Sequence, residues 1–382
     1  MKTSLADGYL SVRRGAVALA LGAAVTMSGV LGALADDAYG EYGKAEKIAS
    51  GGEYAEYEYA YNAVPVYHEE EVLLYATSKE GEAHYYTYDG GWGEPYVFED
   101  QPVSYQWEPA AVAHGGKQYL FYIGEDDKYY HNNYDGADWT GWEDLSGEYT
   151  FAAPPYANKY GDDLVFAYGV ADDGYVYYKT WAEGGWSEWA PVNESANAGE
   201  YQPYAIEWGG YNNVFWTGDD GYVYWNRYDP ATESWTGEKQ LPYEADEYEY
   251  TSAPYALGYS VDDTLYAYAF TADGQPHWNT FDGEGWSGWK GYESEYSWEA
   301  AYQPYAYEYD GVQYIYTTAK DGHAYYTTYD GEAYSDWTDL GENYGYEVSA
   351  YEYDGTQNIT YTGENGYLYY KEYAAGEEDS GY

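Results

Sequence analysis

Cysteine is absent from this chain, so no disulfide holds it together and its stability must come from packing. Positive charge is scarce as well. Lys and Arg number 15 against 68 Asp and Glu, a formal net charge of −53. Nucleic acids, heparin-like glycans and anionic membrane surfaces are bound through clustered Lys and Arg that displace counterions, so this balance argues against all three as partners. The acidity itself has two readings, solubility and life at high salt, where screening relieves self-repulsion. Long apolar runs are also few. One extends from Gly15 to Leu34, behind Arg13 and Arg14, and ends in the small-residue sequence Ala33-Leu34-Ala35. That is the form of a secretory signal with its cleavage site. Residues 1–35 are therefore expected to be a signal peptide and the protein to be secreted. No second apolar span follows, so no membrane insertion is expected. Removing Lys2, Arg13, Arg14 and Asp7 with that segment leaves 67 acids against 12 bases, and Arg227 is the one remaining arginine.

What is abundant is aromatic. Tyr, Trp and Phe make up 22% of the chain, with 61 Tyr and 16 Trp, and each buried ring removes about 150–250 Å² from water. These rings are periodic. An acid or amide followed by Gly recurs, with aromatic or His residues three, four and seven positions after that Gly. The first ring column reads His84, Tyr130, Tyr177, Tyr224, His277, Tyr325 and Tyr369. The second reads Tyr85, His131, Tyr178, Trp225, Trp278, Tyr326 and Tyr370, and the third Tyr88, Tyr134, Trp181, Tyr228, Phe281, Tyr329 and Tyr373. Intervals between successive turn positions are 46, 47, 47, 53, 48 and 44 residues, by subtraction. A repeat of that length matches a four-stranded propeller blade. Asp127 replaces Gly in one copy, and Asp is among the few residues that enter the left-handed region.

One repeat shows the strands. Pro254-Tyr255-Ala256 opens a short inner strand, Leu265 to Phe270 a second, and Asp273-Gly274 turns into a third that carries His277, Trp278 and Phe281. A second turn leads to the outer segment Trp286-Ser287-Gly288-Trp289. The Pro start recurs at Pro109, Pro155, Pro203 and Pro304, a position where a missing N–H does no harm. Outer segments recur at Trp139/Trp142, Trp186/Trp189 and Tyr334/Trp337, and more loosely at Trp92 and Trp235. The last repeat has none after Tyr373. Tyr39-Gly40-Glu41-Tyr42 has the same ring spacing, so residues 39–47 are expected to supply that missing outer strand and close the ring. The expectation is an all-β, seven-bladed propeller of four-stranded antiparallel blades, forming one domain over 36–382. Its blades lie at about 54–100, 101–149, 150–195, 196–245, 246–295, 296–344 and 345–375 with 39–47.

The run Asp173-Gly174-Tyr175-Val176-Tyr177-Tyr178 followed by Gly185-Trp186-Ser187-Glu188-Trp189 resembles the repeat of seven-bladed β-propeller lectins of the Photorhabdus-lectin type and of the broader tachylectin-like group. The resemblance covers residues 39 to 373. It implies a sugar-binding protein with shallow pockets between neighbouring blades and no catalysis.

Residues four apart on a strand share a face and residues three apart do not. The first and third columns therefore share one face, and the second addresses the next blade. Most of these rings are core. Rings on the outer strand are the candidates for ligand binding: Trp92, Trp139, Trp186, Trp235, Trp286 and Tyr334. A ring beside carboxylates suits a pyranose, whose C–H face stacks while acids accept its hydroxyl protons. The six histidines are scattered without a second His at ligand spacing, so no metal site is expected. Acid pairs such as Asp126-Asp127, Asp162-Asp163 and Asp219-Asp220 lack calcium-loop spacing and read as turn residues. No cofactor and no catalytic residue are expected. A sialidase needs clustered arginines to clamp its substrate carboxylate, and no repeat departs from the rest to host a hydrolase site. The function expected is a multivalent lectin, with glycans on cell surfaces or extracellular polysaccharide as partners. The alternative is a Tyr/Glu-rich extracellular surface or assembly scaffold that binds a protein.

Overall fold

The computed structural model describes residues 41–48, 57–68, 70–162, 164–182, 185–242, 248–292 and 298–374. The expected signal segment and Tyr39 lie outside them. Every regular element among the described residues is a β-strand, and the strands form seven small antiparallel sheets. The fourth repeat is representative, with Tyr204–Trp208, Tyr211–Thr217 and Val223–Asp229 pairing in sequence order, then Ser234–Trp235 and Lys239–Gln240 both pairing with Val223–Asp229. The innermost strands are Val64–His68, Tyr105–His114, Tyr156–Tyr160, Tyr204–Trp208, Tyr255–Tyr259, Tyr305–Tyr309 and Ser349–Tyr353. Each neighbours the next, and the last returns to the first. The chain is a closed seven-bladed β-propeller.

The outer strand differs from the expectation of one continuous Trp-bearing segment. Its first ring pairs opposite the third ring column, as in Trp186 with Trp181, Trp92 with Tyr88 and Trp286 with Phe281. Three residues then loop out before the chain re-pairs, as Ala190–Pro191 does with Tyr178 and Tyr177. Closure of the ring carries a second difference. Glu41–Tyr42 and Glu46–Lys47 both pair with Leu368–Ala374, placing Tyr42 opposite Tyr373. Tyr42 is thus the equivalent of Trp186, and Ala45 falls where Trp189 stands. Spacing of three between rings does not say which ring leads. Backbone register does.

Each turn that carries the repeat signature has its fourth residue at positive φ. Gly81, Gly174, Gly221, Gly274, Gly322 and Gly366 lie between 76° and 81°, and Asp127 at 61°. Their amides close the turn onto the carbonyl three residues back at 2.8–3.0 Å. Their carbonyls face outward from the turn, and each accepts from an amide at the entry of the following blade. The donors are Tyr105, Phe151, Ala198, Tyr250, Ala300, Tyr344 and, across the closure, Tyr59, at 2.6–3.1 Å. The acid before the Gly caps the first ring column. Asp173, Asp220 and Asp126 accept from the hydroxyls of Tyr177, Tyr224 and Tyr130 at 2.9, 2.6 and 2.9 Å. Carboxylates read as turn residues are therefore engaged by tyrosines four positions on.

Candidate functional site

The strand parity places the three ring columns as expected. Third-column rings contact the preceding blade: Tyr88 meets Tyr353, Trp181 meets Tyr119 and Phe281 meets Trp208, at 5.0, 6.0 and 5.7 Å between centroids. Second-column rings contact the outer-strand ring of the following blade. Those pairs are Tyr85 with Trp139, His131 with Trp186, Tyr178 with Trp235, Trp225 with Trp286, Trp278 with Tyr334, Tyr326 with Tyr42 and Tyr370 with Trp92. Their centroids lie 5.1–5.9 Å apart. All seven clefts between blades thus carry the same ring pair.

Trp92, Trp139, Trp186, Trp235, Trp286 and Tyr334 occupy equivalent places, half-buried in successive clefts. They are neither deep core nor free surface platforms. The structure brings each against the preceding blade and keeps the six apart from one another, one per cleft. Tyr42 takes the seventh such place, which ring spacing alone had assigned to Tyr39. Two of the second outer rings go deeper. Trp189 and Trp289 are buried, and the indole N–H of Trp189 donates to the Leu145 carbonyl at 2.7 Å. Five of the six first rings share one feature: the indole N–H groups of Trp92, Trp186, Trp235 and Trp286 and the hydroxyl of Tyr334 are buried with no protein acceptor, as is the N–H of the second ring Trp142, whereas Trp139 hydrogen-bonds Tyr85. A buried donor left unpaired costs about 1–3 kcal/mol, which an acceptor admitted by a small opening of the cleft would offset.

Most of the few cations are engaged with rings and acids. Arg227 lies 4.2 Å above the Tyr211 ring with Trp225 and Phe281 alongside, and Lys179, Lys239, Lys290 and Lys371 stack over Trp189, Trp225, Trp278 and Tyr344. Lys79, Lys128 and Lys320 pair with Glu58, Asp144 and Glu299. The histidines in the ring columns are core groups. Burial pushes His84 and His277 down to about 4 and His131 to about 3, which holds them neutral at pH 7. Among the described residues no group of three or more His, Cys, Asp or Glu gathers as metal ligands would.

Sequence reading missed the axis. Asn62, Glu108, Gln202, Gln303 and Glu347 come from five blades to one level of the central channel. The only local signal was a polar residue directly before a strand-opening proline, as in Glu108-Pro109, Gln202-Pro203 and Gln303-Pro304.

No family model and no curated protein matches the chain. Solved structures of similar fold do. A lectin from Burkholderia pseudomallei aligns at a TM-score of 0.72 and 15% identity, over 84% of this chain and 97% of that one. The six-bladed fucose-recognising lectin of Aleuria aurantia aligns at 0.55 and 13%, over 75% and 97%. An ulvan lyase of a polysaccharide lyase family aligns at 0.56 and 12%, over 84% and 96%. At these identities the likeness is one of fold. It sets the chain among the β-propellers.

Proposed function

We propose that this is a secreted, multivalent carbohydrate-binding protein whose sites are the clefts between blades, each built on one of Trp92, Trp139, Trp186, Trp235, Trp286 and Tyr334. The observation that carries the reading is a half-buried ring repeated in every cleft, joined at five of the six positions, all but Trp139, by a donor with no protein acceptor. A pyranose offers what both lack, an apolar C–H face for the ring and hydroxyl oxygens for the N–H. Weak sites repeated round a rigid ring gain through avidity on a glycan-coated surface, and the lectins of similar fold support this use of the propeller. Residues 1–35 would direct export.

The reading is non-catalytic although a lyase shares the fold. Eliminating across a uronate requires cations to neutralise its carboxylate and a group poised to take a proton. Arg227 is stacked among Tyr211, Trp225 and Phe281, the ring-column histidines His84, His131 and His277 are neutral core residues, and the part-exposed His323 pairs with Asp339 at 3.1 Å, with no arginine beside it.

A glycan array probed with the protein at low and at high salt tests the proposal. Binding of a defined glycan class at either salt supports it, and a folded protein that binds none at both salts refutes it. The salt comparison also reports whether self-repulsion at a net charge of −53 loosens the clefts.

A further inference from the structure

We propose that the axial channel is a second binding site, distinct from the clefts, for a small organic ammonium ion held between the Glu108 and Glu347 carboxylates and the rings of Tyr204 and Tyr255. The channel encloses a cavity of about 210 Å³ lined by residues from all seven blades. One level of its wall is polar and rich in acceptors. Gln202 donates its Nε2 to the Pro155 carbonyl at 2.8 Å, Gln303 to Glu347 Oε1 at 3.2 Å, and Asn62 its Nδ2 to Ser349 Oγ at 2.8 Å. With those amide donors turned to protein, oxygens are left. Asn62 is 5% exposed, and its Oδ1 has no donor from the chain. Among the described residues no Lys, Arg or His lies within ion-pair distance of either carboxylate.

The next level of the wall is aromatic. Tyr156, Tyr204, Tyr255 and Tyr305 open four successive inner strands and form an arc, with centroids 4.8, 4.2 and 4.9 Å apart. A pair of acidic groups without counter-charge, which a cation entering between them would ionise, beside a row of tyrosine rings is the chemistry that recognises alkylated ammonium. It suits a metal ion poorly. Calcium wants six to eight oxygen ligands, preferably carboxylates and carbonyls, and the hydroxyls of this wall are neutral and bonded to one another, as Tyr204 is to Tyr255 and Tyr156. Entry is open from both ends: a vestibule of about 430 Å³ shares Glu108, Gln202, Gln303 and Glu347 with the cavity and is flanked by Tyr61, Tyr302 and Tyr346, and a wider one of about 790 Å³ shares Tyr156 and Tyr204 with it.

Calorimetric titration of the full-length protein with choline, with calcium chloride as a parallel arm, tests the site. Saturable binding of one choline per chain is expected. The double substitution Glu108→Gln, Glu347→Gln keeps the shape of the wall and should weaken that binding at least tenfold. Tyr255→Leu should also weaken it, Tyr255→Phe should not, and Trp186→Phe in a cleft should leave it unchanged. Absence of saturable choline binding overturns the proposal, as does calcium binding in its place or an undiminished choline affinity in the double glutamine variant. Because Trp186 belongs to the clefts and not to the channel, failure here leaves the glycan reading standing.

Discussion

The amide of Tyr59 donates to the carbonyl of Gly366 at 2.6 Å, joining the first blade to the last. It is the seventh copy of a bond that six other turn carbonyls make within the chain, from the tip of one blade to the entry of the next. Closure therefore has two components, this stitch and the pairing of Glu41–Tyr42 and Glu46–Lys47 with the last sheet. A strand edge left open by loss of either would be a template for association.

Tyr42 anchors the closure. Its ring meets Tyr316, Tyr326 and Tyr373 at 6.4, 5.7 and 5.2 Å, and its hydroxyl shares a hydrogen bond with Tyr316. Tyr42→Ala should cost about 3–5 kcal/mol by denaturant unfolding, and deletion of residues 36–47 should lower the melting temperature by several degrees. Tyr42→Trp, which restores the residue found in other outer strands, should fold. Unchanged unfolding of the deletion variant would show that the ring closes without this strand.

The turn glycines act through conformation and space together. A Cβ on Gly274 would lie 2.7 Å from the Ala300 amide nitrogen, at a φ of +76°. That amide is the donor to the Gly274 carbonyl. Gly274→Val should therefore destabilise by about 1–3 kcal/mol and raise amide hydrogen exchange at Ala300. Wild-type stability would mean that the turn can be rebuilt at no cost.

His131 occupies the second ring column, and both of its ring nitrogens are buried without partners. Its pKa is depressed to about 3 by that burial, so the unfolded chain holds the proton more tightly. Stability is then present above the ordinary histidine value near 6.5 and drains away as pH falls toward 3. His131→Phe removes the loss. At pH 5 the variant should gain about 2 kcal/mol over wild type relative to their difference at pH 8, as read by urea unfolding at both values.

The axial carboxylates give the opposite sign. Burial first, and then the charge of Glu347, push Glu108 up to about 8, and burial raises Glu347 as well. The folded state holds these protons more tightly than the unfolded chain. Their contribution is complete below the ordinary carboxylate value and is lost as pH rises through about 8. Melting temperature should fall between pH 5 and pH 8.5, and Glu108→Gln with Glu347→Gln should flatten that fall. A wild-type slope retained in the double variant would assign the pH dependence to other acids.

The cleft tryptophans allow packing to be separated from recognition. Replacing Trp92, Trp186 and Trp286 together by Phe keeps a ring against Tyr370, His131 and Trp225 and removes three orphaned donors. The variant should melt within a few degrees of wild type while its glycan-array signal drops at least tenfold through lost avidity. Undiminished binding would move the sugar sites away from these rings.

Much of the molecule follows from local rules that one repeat already contains. An acid, a glycine and rings at fixed offsets specify a turn at positive φ, a capped tyrosine four residues on and alternate faces for the columns, because strand geometry sets side-chain direction residue by residue. Seven copies then give seven blades. The remaining features depend on residues brought together from far apart in the chain. Whether Tyr39 or Tyr42 takes the leading ring position depends on hydrogen-bond register with Leu368–Ala374, some 330 residues away. The orphaned donors of Trp186 and Trp286 arise only where a neighbouring blade covers them. Asn62, Glu108, Gln202, Gln303 and Glu347 meet because closure of the ring carries one position of each blade to the axis. Spacing along the chain determined the blades, and tertiary closure decided what lies between them and at their centre.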